Sequence, residues 1–196
     1  EITEDSQDKL LSALKDEGLI KMEADPNIDK TQVQGVFIVG KQIGEGAYAS
    51  VRLAIYKPNN KKVAIKIYEK KKIKEIQRRK SVRREIKILQ KIDHSNILKI
   101  YDVIETNNHV NIIMEYIQGI SLNSYIKANP DSFSFYIDSR ATEKDARRIF
   151  VPIIEAIRYL HELCICHRDI KLENVLLDSK LAPKLIDFGF STCIEN

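Results

Sequence analysis

His167-Arg168-Asp169-Ile170-Lys171-Leu172-Glu173-Asn174 is followed, thirteen positions after Asn174, by Asp187-Phe188-Gly189. Between the two lie Val175-Leu176-Leu177 and Lys184-Leu185-Ile186, short apolar runs of strand character. The spacing puts two acidic side chains and an asparagine on neighbouring loops beside a small strand pair. Such a set offers hard oxygen donors to a divalent cation and a carboxylate able to take a proton.

Working outward, the chain upstream of this stretch changes period twice. Phe37-Ile38-Val39, Ser50–Ile55 and Val63–Tyr68 alternate with period two and read as strands, the last two separated by the turn residues Lys57-Pro58-Asn59-Asn60. A helix is expected from Ile76 to Ile92, with Val82, Ile86, Leu89 and Gln90 inward, and two more strands near Leu98–Ile104 and Val110–Tyr116. The expectation is a five-stranded antiparallel sheet carrying one helix. A short helix at Leu122–Lys127 and a polar stretch, Asn129–Arg140, come next. Thr142-Glu143-Lys144-Asp145 resembles a capping box and opens a long helix with Ile149, Ile153, Ile154, Ile157 and Leu160 as its apolar face. Residues 1–35 read as an extension: Leu10, Leu11 and Leu14 share a helical face after a cap at Asp5 or Ser6, Gly18 stops it, and Asp25-Pro26-Asn27 is a turn.

Composition bounds the class. With 43% hydrophobic and 31% charged residues, the 196-residue chain can bury a core. It contains no apolar run long enough for a membrane span, and its first residues read as acidic and polar rather than as a signal peptide. Three cysteines make a poor disulfide framework and point to a reducing compartment. Lys61–Lys87 holds 13 Lys/Arg against 3 Asp/Glu, a local +10 that leaves −6 for the rest of a chain of net charge +4. That segment reads as a solvated basic face, with docking of an acidic partner as the second reading. It lacks the interleaved aromatics of a nucleic-acid surface.

Gly44-Glu45-Gly46-Ala47-Tyr48-Ala49-Ser50-Val51 joins two strands with a glycine-bearing loop whose bare backbone can approach a polyphosphate. The loop runs into a strand, not a helix, which argues against a dinucleotide fingerprint, and it lacks the Gly-Lys-Ser/Thr of a P-loop. Lys66, in the apolar Val63-Ala64-Ile65-Lys66, needs an anionic partner, and Glu85 on the following helix can supply one. His161, Cys164, Cys166 and His167 bunch together without the Cys-x₂₋₄-Cys spacing of a structural zinc site, and strand alternation would turn the two cysteines to one face.

In order and spacing these motifs resemble the eukaryotic protein kinases from about Phe37 onward. The resemblance implies an α+β, two-lobed protein kinase-like fold: an extension at 1–35, a complete N-lobe at 36–116, and the first part of a helical C-lobe at 117–196, ending shortly after Asp-Phe-Gly. It implies ATP and Mg²⁺ as cofactors and transfer of the γ-phosphoryl group to serine or threonine of protein substrates. Lys66 would hold the α/β-phosphates and pair with Glu85; Asp169 would be the catalytic base; Asn174 and Asp187 would bind Mg²⁺. Lys171 looks like the γ-phosphate lysine of serine/threonine kinases. The nucleotide site would comprise Ile43, Gly44, Glu45, Gly46, Ala47, Val51, Ala64, Lys66, Met114 as gatekeeper, the hinge Glu115-Tyr116-Ile117, Ser121, Glu173 and Leu176. A stacked spine would run through Leu89, Ile100, His167 and Phe188. Ala49 replaces the third loop glycine and Leu172 a common proline; neither touches the chemistry. Gly-Glu-Gly-Ala-Tyr, Ile-Asp-Phe-Gly-Phe-Ser and Ala-Arg-Arg-Ile-Phe look most like the calcium/calmodulin-dependent and AMP-activated group.

Arg168 implies, by the same resemblance, control by an upstream activating kinase through activation-loop phosphorylation beyond this chain. Further partners expected are a protein docked through the N-terminal helix or the basic 61–87 segment, with no nucleic acid and no membrane span. The expected location is cytoplasmic, with the nucleus open. The alternative is a kinase-like fragment serving as a structural or binding module in a larger assembly.

Overall fold

Alternating apolar residues make the first sheet two-sided. In the computed structural model, which describes residues 33–128 and 139–194, a single helical turn, α1 (Val33–Val36), leads into β1 (Phe37–Glu45), β2 (Ala49–Tyr56) and β3 (Lys61–Glu69). β4 (Ile100–Glu105) and β5 (His109–Glu115) complete a five-stranded sheet of order β1-β2-β3-β5-β4, as the sequence predicts. Val63, Ile65 and Ile67 point to one face and build a core with Ala54, Ile113, Val33 and Phe37. Ala64, Lys66 and Tyr68 therefore occupy the opposite face. The expected helix of residues 1–35 and the Asp25-Pro26-Asn27 turn lie outside the described residues, as does nearly all of the 129–140 stretch.

The chain divides into two compact units: residues up to Ile76 with Tyr101–Tyr116, and Gln77–Ile100 with Ile117 onward. Helix α2 (Ile76–Leu89) falls almost wholly in the second, because Ile88 and Leu89 pack into the same cluster as Phe188, Leu185 and Leu160. Its buried residues are Val82, Glu85, Ile88 and Leu89; the expected inward Gln90 is exposed and Ile86 only half-buried. Val82 and Leu89 are buried as predicted, and the rest of the buried face is turned from the predicted stripe by about one residue.

The second unit continues with β6 (Gly119–Ser121), α3 (Leu122–Ala128), α4 (Ser139–Glu162), β7 (Ile165–Cys166), a 3₁₀ turn at Leu172–Asn174, β8 (Val175–Asp178), β9 (Pro183–Leu185) and β10 (Thr192–Cys193). Helix α4 begins three residues before the predicted Thr142 box. It buries Ile149, Ile153, Ala156 and Leu160, whereas Ile154, expected inside, is 44% exposed. β6-β8-β9 form one small sheet and β7-β10 another. The segment after α2 is stitched to β9: the Leu98 amide donates to the Leu185 carbonyl, the Leu185 amide to Asn96, and Asn96 Nδ2 to Pro183 O at 2.8 Å. Strand β6 comes so close to β8 that a side chain at Gly119 would meet the backbone of Leu177.

Candidate active site

In the first unit, pairing register gathers the residues singled out in the sequence. Val51 lies opposite Lys66, Leu53 opposite Ala64, and Ala64 opposite Met114. Because partners in an antiparallel pair share a face, Val51, Ala64, Lys66 and Met114 line one side of the sheet. Lys66 is half-buried there, its Nζ 5.4 Å from the Tyr68 ring centroid. Glu115 ends β5 opposite Val63. At the β1–β2 turn, the Gly46 amide donates to the Ala49 carbonyl, while Ile43 and Tyr48 are both 41% exposed. A Cβ added at Gly44 would lie 3.4 Å from Val51 Cβ, and one at Gly46 would lie 3.6 Å from Ala49 O. Those are ordinary contacts, so hairpin packing does not demand glycine at either position. What glycine leaves is bare backbone at the tip.

In the second unit the catalytic-loop residues converge on one carboxylate. Lys171 Nζ lies 2.8 Å from Asp169 Oδ2. Asn174 Nδ2 donates to the same oxygen at 2.8 Å and to the Asp169 carbonyl at 2.9 Å. The hydrogen bond from Lys171 holds the Asp169 carboxyl below its ordinary pKa, and the same bond raises that of Lys171. Both amide hydrogens of Asn174 are thus committed to Asp169, which leaves its Oδ1 as the side-chain oxygen available to a cation. Asp187 and Arg168 sit in left-handed backbone, φ 61° and 65°, a conformation non-glycine residues adopt only under local compulsion. At Asp187 it accompanies an approach of the Gly189 amide to Oδ1, 3.4 Å away. At Arg168 it accompanies donation of Nε to the Phe190 carbonyl at 2.6 Å.

His167 is the scaffold of this loop, and the sequence marks it only as a spine residue. It is buried, its Nδ1 accepting the Asp169 amide at 3.3 Å and its Nε2 lying 3.0 Å from the Ile186 carbonyl. An acceptor at Nδ1 requires the proton on Nε2, where the carbonyl receives it. Burial lowers the pKa of the ring and keeps it neutral. Ser191 Oγ caps the His167 carbonyl at 3.2 Å, and the Phe188 ring meets the imidazole edge-on at a centroid distance of 4.7 Å. Phe188 shares its cluster with Leu89 and Ile100, so the four proposed spine residues lie in one packed region.

Glu85 is only 3% exposed, and its Oε2 would be 3.8 Å from a Cβ at Gly189. The helix thereby delivers a buried carboxylate beside the Asp-Phe-Gly turn. Ser121 and Leu176 are cross-strand partners. Ser121 also caps α3, its Oγ accepting the Ser124 amide at 3.1 Å. Glu173 takes a hydrogen bond from Asn123 Nδ2 at 3.1 Å, a partner without any motif to announce it. Ile117 is half-buried at the start of the second unit.

The cysteine–histidine bunch behaves differently from its sequence reading. Cys164 has φ 55° and lies outside β7, so strand alternation does not apply to it. His161 is exposed, all three cysteines are free thiols, and no three His, Cys, Asp or Glu side chains gather for a metal among the described residues. Two lysines of the 70–74 run are paired on the surface, Lys70 with Glu105 and Lys72 with Glu69, each at 2.7 Å. Among the described residues no helix is long and apolar enough to cross a membrane.

A two-faced five-stranded sheet, a glycine hairpin and a carboxylate braced by lysine and asparagine beside Asp-Phe-Gly together define a phosphotransferase-type scaffold. Residues 37–196 match the protein kinase domain, and the chain belongs to the eukaryotic protein kinase family. It is 40% identical over 158 residues to the SNF1-related protein kinase catalytic subunit alpha KIN12 of Arabidopsis thaliana, covering 81% of this chain and 30% of that protein. It is 38% identical over 168 residues to the hormonally up-regulated neu tumor-associated kinase homolog A of Xenopus laevis, covering 85% and 23%. The Xenopus tropicalis homolog matches at 38% over 164 residues, 83% of this chain and 22% of that protein. The chain thus spans under a third of these relatives, and the SNF1-related one agrees with the AMP-activated side of the resemblance.

Proposed function

We propose that this domain transfers the γ-phosphoryl group of ATP, with Mg²⁺, to serine or threonine hydroxyls of protein substrates. The observation that carries the reading is the Asp169 carboxylate held from two sides by Lys171 and Asn174. When bound, ATP supplies the phosphoryl group and Mg²⁺ neutralises charge on it. The residues fit that pair. The hairpin keeps glycine where its own packing does not need it, and one sheet face offers the apolar Val51, Ala64 and Met114 to a base with Lys66 for the phosphates. Asn174 Oδ1 and the Asp187 carboxylate are the hard donors that magnesium prefers.

Within that set Asp169 orients the acceptor hydroxyl and takes its proton, its ionised form secured by Lys171. Lys171 carries positive charge toward the transferring group, and Glu85 is the buried counter-charge to the phosphate-binding lysine. Ile43, Gly44, Glu45, Gly46, Ala47, Glu115, Ile117, Ser121, Glu173 and Leu176 complete the nucleotide-binding reading. Arg168 belongs to a regulatory reading in which an upstream kinase phosphorylates a residue beyond Asp187 of the full-length protein. The free thiols accord with a reducing, cytoplasmic setting.

The test is phosphotransfer by the full-length protein carrying Lys66→Met or Asp187→Asn. Both substitutions are expected to abolish transfer to a serine peptide while the protein remains folded; undiminished activity in either sinks the assignment.

A further inference from the structure

Helix α2 has two unlike faces. One buries Val82, Glu85, Ile88 and Leu89. The other carries Lys80, Arg83, Arg84 and Lys87, which with Lys91, Ile88 and Cys193 line a groove of about 400 Å³. All five basic residues are exposed, and among the described residues none of them makes an ion pair. The sequence reading takes residues 61–87 together as one solvated basic face. The structure divides it: Lys70 and Lys72 are neutralised on the first unit, while Lys80, Arg83, Arg84 and Lys87 of the second unit share one concave surface.

The arrangement discriminates among anions. Positions 80, 83/84 and 87 follow one another by about one helical turn, roughly 5 Å apart and about 10 Å end to end, and Lys91 follows on the turn that ends the helix. A single phosphate calls for cations that converge on a point; these are strung along a line. Same-side residues of an extended peptide repeat at about 6.8 Å, so three alternating carboxylates span about 14 Å and can reach successive cations along this line. A bilayer surface is flat and a duplex convex, whereas this surface is a groove with Ile88 and Cys193 in its lining.

We propose that the α2–β10 groove docks an acidic segment of a partner protein, an extended stretch with Asp or Glu at alternate positions. Long exposed lysines and arginines exchange partners readily, so affinity arises from several weak pairs acting together and is strongly salt-dependent. Docking here is independent of the phosphoryl-transfer reading, since none of the lining residues belongs to that set.

The experiment uses the whole chain and a fluorescent twelve-residue peptide with glutamate at alternate positions, followed by anisotropy. Binding is expected to weaken about tenfold in the double variant Arg83→Glu/Lys87→Glu, as several exposed pairs are lost and reversed. The equal charge change Lys71→Glu/Lys74→Glu, outside the groove, should leave affinity within about twofold. On the unmodified chain, the peptide should slow alkylation of Cys193, followed by mass spectrometry against Cys164 and Cys166. That readout does not depend on any variant folding. Equal weakening by both double variants, or peptide binding without protection of Cys193, would overturn the proposal. So would failure of a glutamine version to bind more weakly, or protection of Cys193 by phosphatidylserine vesicles, inorganic phosphate or duplex DNA but not by the peptide.

Discussion

Gly119→Ala is the sharpest structural test, because the cost can be worked from the backbone alone. An alanine Cβ at this position would sit 1.7 Å from the Leu177 carbonyl oxygen, 2.7 Å from the carbonyl carbon and 3.0 Å from Asp178 Cα. All three obstacles are main chain, so no side-chain rotation relieves them. Restoring ordinary contact requires β6 and β8 to part by about 1.5–2 Å, and a ladder hydrogen bond stretched that far fails the distance criterion. Each such bond is worth about 1 kcal/mol, and overpacking of this kind costs ~1–3 kcal/mol. Alanine returns only ~0.5–1 kcal/mol by restricting the unfolded chain. The net expectation is a loss of about 2–3 kcal/mol, or roughly 5–10 °C in Tm for a chain of this size. Urea and thermal melts measure it directly. Gly35→Ala is the matched control: nothing lies within 4 Å of its added Cβ, so it should be neutral or stabilising by up to ~1 kcal/mol. If Gly119→Ala unfolds within about 0.5 kcal/mol of the parent, the close approach of β6 to β8 is wrong.

Phe188→Ala removes a ring that is 1% exposed and rests on His167; a loss of ~3–5 kcal/mol in urea denaturation is expected, with Phe188→Leu much milder. Because burial lowers the pKa of His167, the unfolded chain takes up a proton before the folded one does as pH falls below neutrality. Stability is therefore full above the ordinary histidine range and declines on acidification, and His167→Gln should flatten that decline between pH 7.5 and 5.5; an unchanged slope would assign the pH dependence elsewhere. Asn174→Ala removes one hydrogen bond from the Asp169 carboxylate and one from its carbonyl and should lower kcat about 10²-fold, as for any misplaced catalytic group. A parallel rise in the Mg²⁺ concentration needed for half-maximal rate would tie the same asparagine to the metal.

The sequence announced the parts that repeat or punctuate. β3 is legible because Val63, Ile65 and Ile67 alternate with Ala64, Lys66 and Tyr68, and a strand that satisfies both faces has one register. The site is legible because Asp169, Lys171, Asn174 and Asp187 lie within nineteen residues, close enough for local turns to gather them. Strands β6, β7 and β10 have two or three residues each, too few for any period to show. Their hydrogen-bond partners are chosen by the chain's return path. Helix phase was legible only in part for a related reason: Val82, Leu89, Ile149, Ile153 and Leu160 are buried as read, but Gln90 and Ile88, or Ile154 and Ala156, exchange roles once neighbouring elements decide which side of the helix is covered.

Sequence by itself therefore determined the family, the candidate site residues and the order of the larger elements, because periodicity and short motifs are local properties of the chain. Tertiary structure alone decided that His167 braces Asp169 as a neutral ring, that Gly119 admits no side chain, and that the basic run splits into a paired part and a groove. Those features depend on distances between residues far apart in the chain, set by burial and backbone approach, and no local pattern records them.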